Sequence, residues 1–137
     1  MLTREDLESY LLRMEDLETE EIDEAMYLVR SRAGAPPIVI NYSPPLLLLR
    51  LTVMDLPDAA LANPQLLRTL LELNASDMVH GAYGLEEEEL ILSDTLELET
   101  LDFLELQASI ESMQLAASGH MEQIRSLAGG NGGGAER

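Results

Sequence analysis

Apolar positions follow two different rhythms along this chain of 137 residues. At the start, Leu7, Tyr10, Leu11, Met14 and Leu17 recur at spacings of three and four, which lays one apolar stripe along a helix. Thr3 stands where an N-cap belongs and Asp6 follows three residues later, as in a capping box. Glu5, Glu8, Arg13, Glu15 and Asp16 fall on the opposite, wet face. The dense acidic run from Glu18 to Glu24, broken only by Thr19 and Ile22, reads as a solvated loop.

From Met26 the rhythm changes to β-favouring stretches separated by turn residues. Residues 26–32, 38–42 and 46–54 predict three strands, punctuated by Gly34, Pro36, Pro37, Pro44 and Pro45. Their close spacing predicts an antiparallel meander. The unbroken apolar start of the third, Leu46 to Leu49, predicts burial on both faces there.

Asn63-Pro64 is a helix start, since Pro is tolerated in the first turn, and Leu66, Leu67, Leu70, Leu71 and Leu73 give that helix its buried face. Residues 78–83 and 90–93 predict two further strands, joined by a turn of four glutamates, Glu86 to Glu89. Thr100 then caps a long amphipathic helix running through Leu106, Ile110, Met113, Ile124 and Leu127, with a kink expected near Gly119. The expected order is α-β-β-β-α-β-β-α: one α+β domain over residues 1–128, its antiparallel sheet packed against helices. Residues 129–137 are too rich in Gly to order and predict a flexible tail.

Charge narrows the function. Twenty-six acidic residues against eight basic ones give a formal net charge of −18. Such a surface repels nucleic-acid phosphates and anionic lipids and attracts basic segments of a protein partner. With no Cys, disulfides, zinc-thiolate sites and thiol catalysis are excluded. The polar, acidic N-terminus does not resemble a secretory signal, and no apolar run reaches the ~18–20 residues of a membrane span. A cytoplasmic location is the expectation left by elimination.

The stretch Leu66-Leu67-Arg68-Thr69-Leu70-Leu71-Glu72-Leu73-Asn74, then Gly81-Ala82-Tyr83-Gly84-Leu85, Leu90-Ile91-Leu92-Ser93 and Leu96-Glu97-Leu98-Glu99-Thr100-Leu101-Asp102, resembles the type III secretion chaperone fold and the YbjN-like proteins that share it. The likeness covers roughly residues 3–127, and the chain departs from it in its Pro-Pro turns and Gly-rich tail. The resemblance implies a small acidic cytoplasmic homodimer that holds an extended client segment along hydrophobic patches. For the YbjN-like branch it implies a link to stress responses and regulation.

The chemistry agrees with a binding role. The two histidines, His80 and His120, are paired by nothing in the sequence with each other or with a nucleophile, and structural roles are expected for both. No phosphate-binding Gly-rich loop is present. Glu86 to Glu89 lack the spacing of a calcium loop, so no metal or other cofactor is expected. Asn74-Ala75-Ser76 matches a glycosylation sequon, but Asn74 is read as a helix stop.

The expected function is therefore that of a non-enzymatic acidic module which binds a protein segment, as a homodimer, without nucleic acid or membrane. Leu66, Leu70, Met78 and Met113 are the candidate partner-binding residues, and Met26 and Met54 add to an adaptable apolar surface. The alternative is a regulatory or stress-related protein acting through a stable heteromeric complex without chaperone activity. A small hydrolase or metal-dependent enzyme is the third class.

Overall fold

Thr3 opens the first helix, α1 (Arg4–Leu12), in the computed structural model, which describes residues 1–129. The capping box forms as the sequence predicts: the Asp6 N–H donates to Thr3 Oγ1 and the Thr3 N–H donates to Asp6 Oδ2, both at 3.1 Å. These bonds hold the Asp6 carboxyl below its ordinary pKa, as expected for a carboxylate that accepts backbone N–H groups.

The strands are β1 (Leu17–Asp23), β2 (Met26–Ser31), β3 (Ile38–Ser43), β4 (Leu46–Asp55), β5 (Ala82–Glu86) and β6 (Glu89–Glu97). They form one antiparallel sheet in the order β1-β2-β3-β4-β6-β5. Between β4 and β5 lie the short α2 (Asp58–Leu61) and the leucine-rich α3 (Pro64–Ser76), and α4 (Phe103–Leu127) closes the described chain. The α+β class and the β2-β3-β4 meander match the sequence reading.

Several local expectations are corrected. The acidic run is strand β1, paired with β2 from Leu17↔Ser31 to Asp23↔Met26. Backbone pairing stabilises it, and its side chains beyond Leu17 stay exposed, so no apolar alternation announced it. The Glu24-Ala25 turn that joins β1 to β2 places Ala25 at φ 63, a conformation that costs a non-Gly residue.

The strand expected from Met78 begins at Ala82 as β5, and the four-glutamate turn shrinks to Glu87 and Glu88, because Glu86 and Glu89 pair with each other. Asp102, not Thr100, caps the last helix, accepting from the Glu105 N–H at 2.8 Å. Finally, α2 is an element absent from the expected order. The tail expected from residue 129 lies, beyond Gly129 itself, outside the described residues.

The core fills one side of the sheet. Tyr27, Val29, Ile38, Ile40, Leu47, Leu49, Leu51, Leu90 and Leu92 point to that side and are buried, with Leu7 and Leu11 of α1, Leu66 of α3 and Leu106, Ile110 and Met113 of α4. β4 alternates buried and part-exposed positions along its length. Leu46 to Leu49 are therefore not buried on both faces as expected: Leu47 and Leu49 face the helices, and Leu46 and Leu48 face away. Alternation by twos follows from the pleat.

Candidate functional site

Because the helices cover one side only, the opposite face of the sheet has no layer over it among the described residues. The side chains there come from the positions that alternate with the buried set along each strand. Met26 and Leu28 of β2, Val39 of β3, Leu46 and Leu48 of β4 and Ile91 of β6 are all partly exposed, and none belongs to the core cluster. The register sets Leu28 opposite Val39 and interleaves polar residues with the rest: Val39 lies opposite Arg50 and Leu48 opposite Asn41, and Arg50 lies opposite Ser93. A sheet face that exposes several apolar side chains is where a fold of this kind meets another molecule.

Charge frames that face. At one edge, Glu18 and Glu20 of β1 pair with Arg32 and Arg30 at 3.8 and 3.0 Å. Near its centre, the Arg50 guanidinium is neutralised by Glu86 and by Glu89, the latter at 3.4 Å. The cations of this face are thus all matched by carboxylates, while the rim of exposed acids is in excess.

A second apolar surface lies where α3 meets the sheet edge β5. Leu67, Leu70, Leu71, Asn74, Tyr83, Gly84 and Leu85 enclose a groove of ≈ 340 Å³, beside which Leu71 is 69% and Leu85 46% exposed. Its flank carries one charge of each sign, Arg68 and Glu72, joined at 3.1 Å across one helical turn. Asn74, expected as a helix stop, closes the wall of the groove and bonds the main chain of β5.

The four partner-binding candidates distribute unevenly. Leu66 and Met113 are fully buried and Leu70 nearly so; Met78 is partly buried against the core. The first three hold α3 and α4 in place, and Leu70 also floors the groove. Leu67, Leu71 and Leu85 are the neighbouring side chains that reach the surface. Sequence spacing identified the leucine-rich helix but could not separate its inward from its outward leucines, since both occupy helical apolar positions. The open sheet face was legible only as a strand count; which of its residues face solvent follows from the helices all lying on one side.

The tertiary fold assembles one polar constellation that sequence did not suggest. The Tyr83 hydroxyl lies 2.8 Å from His120 Nδ1, and His120 Nε2 lies 3.2 Å from Asp77 Oδ2. With the ring proton on Nε2, the Tyr83 hydroxyl donates to Nδ1 and Nε2 donates to Asp77, so one imidazole ties β5, α4 and the end of α3 together. Burial, and secondarily the Asp77 carboxylate, pushes the Tyr83 hydroxyl up to about 12, which keeps it neutral and makes it a poor nucleophile. His80 has a weaker contact, 3.4 Å from Ser109 Oγ, and Ser109 is fully buried. Among the described residues no group of three or more His, Asp or Glu converges as a metal site, and no helix is long and apolar enough to cross a membrane.

Comparison with solved structures returns the same architecture. A chain of the heterodimeric ExoU–SpcU complex, from the type III secretion system of Pseudomonas aeruginosa, superposes with a TM-score of 0.65 at 15% identity, over 87% of this chain and 94% of that one. The HopA1–SchA chaperone–effector complex gives 0.61 at 16% identity, over 85% and 90%. YbjN from E. coli gives 0.62 at 12% identity, over 90% and 95%. At such identities these matches establish the fold alone. No curated protein sequence matches the chain. A family model does, across residues 2–129, and by that match the chain belongs to CesT_Tir_1, the type III secretion chaperone family.

Proposed function

We infer that this protein is a cytoplasmic chaperone without catalytic activity, which holds a segment of a partner protein against the open face of its sheet. The observation that carries this reading is the uncovered apolar face itself, Met26, Leu28, Val39, Leu48 and Ile91, inside a rim of acids on a chain of net charge −18. Apolar contact supplies affinity there, while the acidic rim steers segments with basic flanks. Membership of the chaperone family supports the same reading. So does similarity to a chaperone–effector complex.

The protein acts as a homodimer, with a second copy seated on the α3–β5 groove. Two acidic chains repel wherever their carboxylates face each other. The groove is the apolar surface whose flank carries balanced charge, Arg68 beside Glu72, so a two-fold contact there sets Arg68 of one copy near Glu72 of the other.

The test replaces single residues of the open face. Leu28→Glu and Leu48→Glu point a carboxylate outward from positions that leave the core untouched. Capture of partner by these variants is expected to fall at least tenfold with circular dichroism unchanged. Undiminished capture would sink the assignment of the face. Similarity to YbjN favours a second reading, a regulatory protein in one stable heteromeric complex; salt-sensitive capture of a single stoichiometric partner distinguishes it from promiscuous client binding.

A further inference from the structure

Asn41 sits in the middle of the open sheet face. Across the ladder it is the partner of Met26 on β2 and of Leu48 on β4, and along β3 it stands between Val39 and Ser43 on the same side. The Leu28–Val39 pair forms the next row in one direction, and the Ser43–Leu46 pair the next row in the other. A carboxamide is thus ringed mostly by apolar side chains, two of them longer than itself.

The fold makes no use of this amide. Asn63 and Asn74 spend theirs on the protein itself: Asn63 accepts from the Gln65 N–H and donates to the Leu127 carbonyl, and Asn74 bonds both main-chain groups of Tyr83. The Asn41 side chain makes no hydrogen bond among the described residues and, being partly exposed, is left to water. A segment that covers the face takes that water away. An apolar side chain laid over Asn41 leaves a donor and an acceptor unpaired. A charged one is desolvated without a free counter-charge, because Arg50, diagonal to Asn41 on β4, is held by Glu86 and Glu89, and Arg30 is held by Glu20. An uncharged amide meets both demands, since it donates and accepts at once.

We propose that the open face selects an extended segment of the form apolar-x-amide-x-apolar, whose central Gln or Asn side chain bonds the Asn41 carboxamide. The assignment rests on the reading that this face holds a partner segment, and adds what that segment carries at its centre. The spacing follows from the rows: positions two apart on a strand are about 6.8 Å apart, and an extended segment lying along β3 repeats at the same interval. With its amide over Asn41, its apolar side chains rest on Leu28 and Val39 at one end and on Leu46 at the other. A single amide within apolar contact also fixes register, because a shifted alignment strands it among apolar side chains.

The test uses the full chain and a capped peptide, acetyl-Arg-Leu-Ala-Gln-Ala-Leu-Arg-amide, with norleucine or glutamate in place of the glutamine as controls. The expected result is a saturable shift of the Asn41 side-chain amide resonances by the glutamine peptide and about tenfold weaker binding of both controls. Asn41→Leu, with circular dichroism unchanged, is expected to reverse the order, so that the norleucine peptide binds more tightly than the glutamine one. A residue that served only the fold would not exchange one preference for another. The proposal is overturned if none of the peptides binds, if the glutamine and norleucine peptides bind alike, or if Asn41→Leu keeps the parent's preference. It is overturned as well if Asn41→Leu shifts the monomer–dimer equilibrium, since a second copy then covers the face. If Leu28→Glu and Leu48→Glu lose the partner while Asn41→Leu leaves the preference for glutamine intact, the amide assignment falls alone and the sheet-face reading stands. If those two variants bind the glutamine peptide as the parent does, the sheet-face reading falls with it.

Discussion

The Asn74 side chain takes the place of a neighbouring strand against Tyr83. Its Oδ1 accepts the Tyr83 N–H at 2.7 Å and its Nδ2 donates to the Tyr83 carbonyl at 3.2 Å. Both main-chain groups of an edge-strand residue are thereby satisfied by one carboxamide from α3. An unprotected edge is a template for pairing with another chain; here a single side chain blocks β5 at its second residue. Asn74→Ala is expected to destabilise the fold by about 1–3 kcal/mol, the cost of leaving part-buried polar groups without partners. It should also promote slow self-association through β5. Urea unfolding and light scattering over hours check the two effects, and a variant as stable and as monodisperse as the parent would remove the edge-blocking role.

The same tyrosine makes stability depend on alkaline pH. Burial raises the Tyr83 hydroxyl from 10.0 to about 12 in the folded protein, so the folded state holds that proton more tightly than the unfolded chain does. The resulting stabilisation is complete below about pH 10 and is lost as pH rises through about 12. Tyr83→Phe is expected to lower stability at neutral pH by about 1 kcal/mol through the lost bond to His120. It should also flatten the fall between pH 10 and 12. A residual slope is expected from Tyr27, whose hydroxyl burial also raises. Urea midpoints measured across this pH range decide the matter; parallel curves for parent and variant would contradict it.

Leu71 tests the proposed two-fold contact. It is largely exposed on α3 beside Leu85, so Leu71→Asp removes no core packing. The substitution places like charges opposite each other if two copies meet on this groove. Sedimentation equilibrium is expected to show a dimer for the parent and a monomer for the variant, with the dissociation constant raised at least a hundredfold, corresponding to about 2.7 kcal/mol. A variant that remains dimeric puts the second copy elsewhere.

How much of this was readable in the residues differs element by element. Thr3 and Asp6 announced α1 because a capping box is satisfied within four residues. The β2-β3-β4 meander was readable because its apolar stretches are cut by Gly and Pro at turn spacing. Strand β1 was not, since Leu-Glu-Thr-Glu-Glu-Ile-Asp carries no alternation that buries a face. It is a strand because β2 offers it a ladder of hydrogen bonds, a partner set by the fold rather than by its own side chains. The start of β5 was misplaced for a related reason: Gly81, at φ 86, turns the chain into the ladder after Met78-Val79-His80, a stretch as β-favouring as the strand itself.

The sequence by itself determined the α+β class, the acidic character and the family resemblance, because local periodicity and net charge are sums over neighbours along the chain. Only the tertiary structure decided which apolar residues remain available. Leu66 and Leu71 lie on one helix and read alike, yet one is sealed in the core and the other faces outward. Leu47 and Leu48 are adjacent, and the pleat sends one to the helices and the other to the open face. The clasp of Tyr83, His120 and Asp77 arises in the same way. His120 stands 37 residues from Tyr83 and 43 from Asp77 along the chain, and only the packing of α3 and α4 on a single side of the sheet brings it within reach of both.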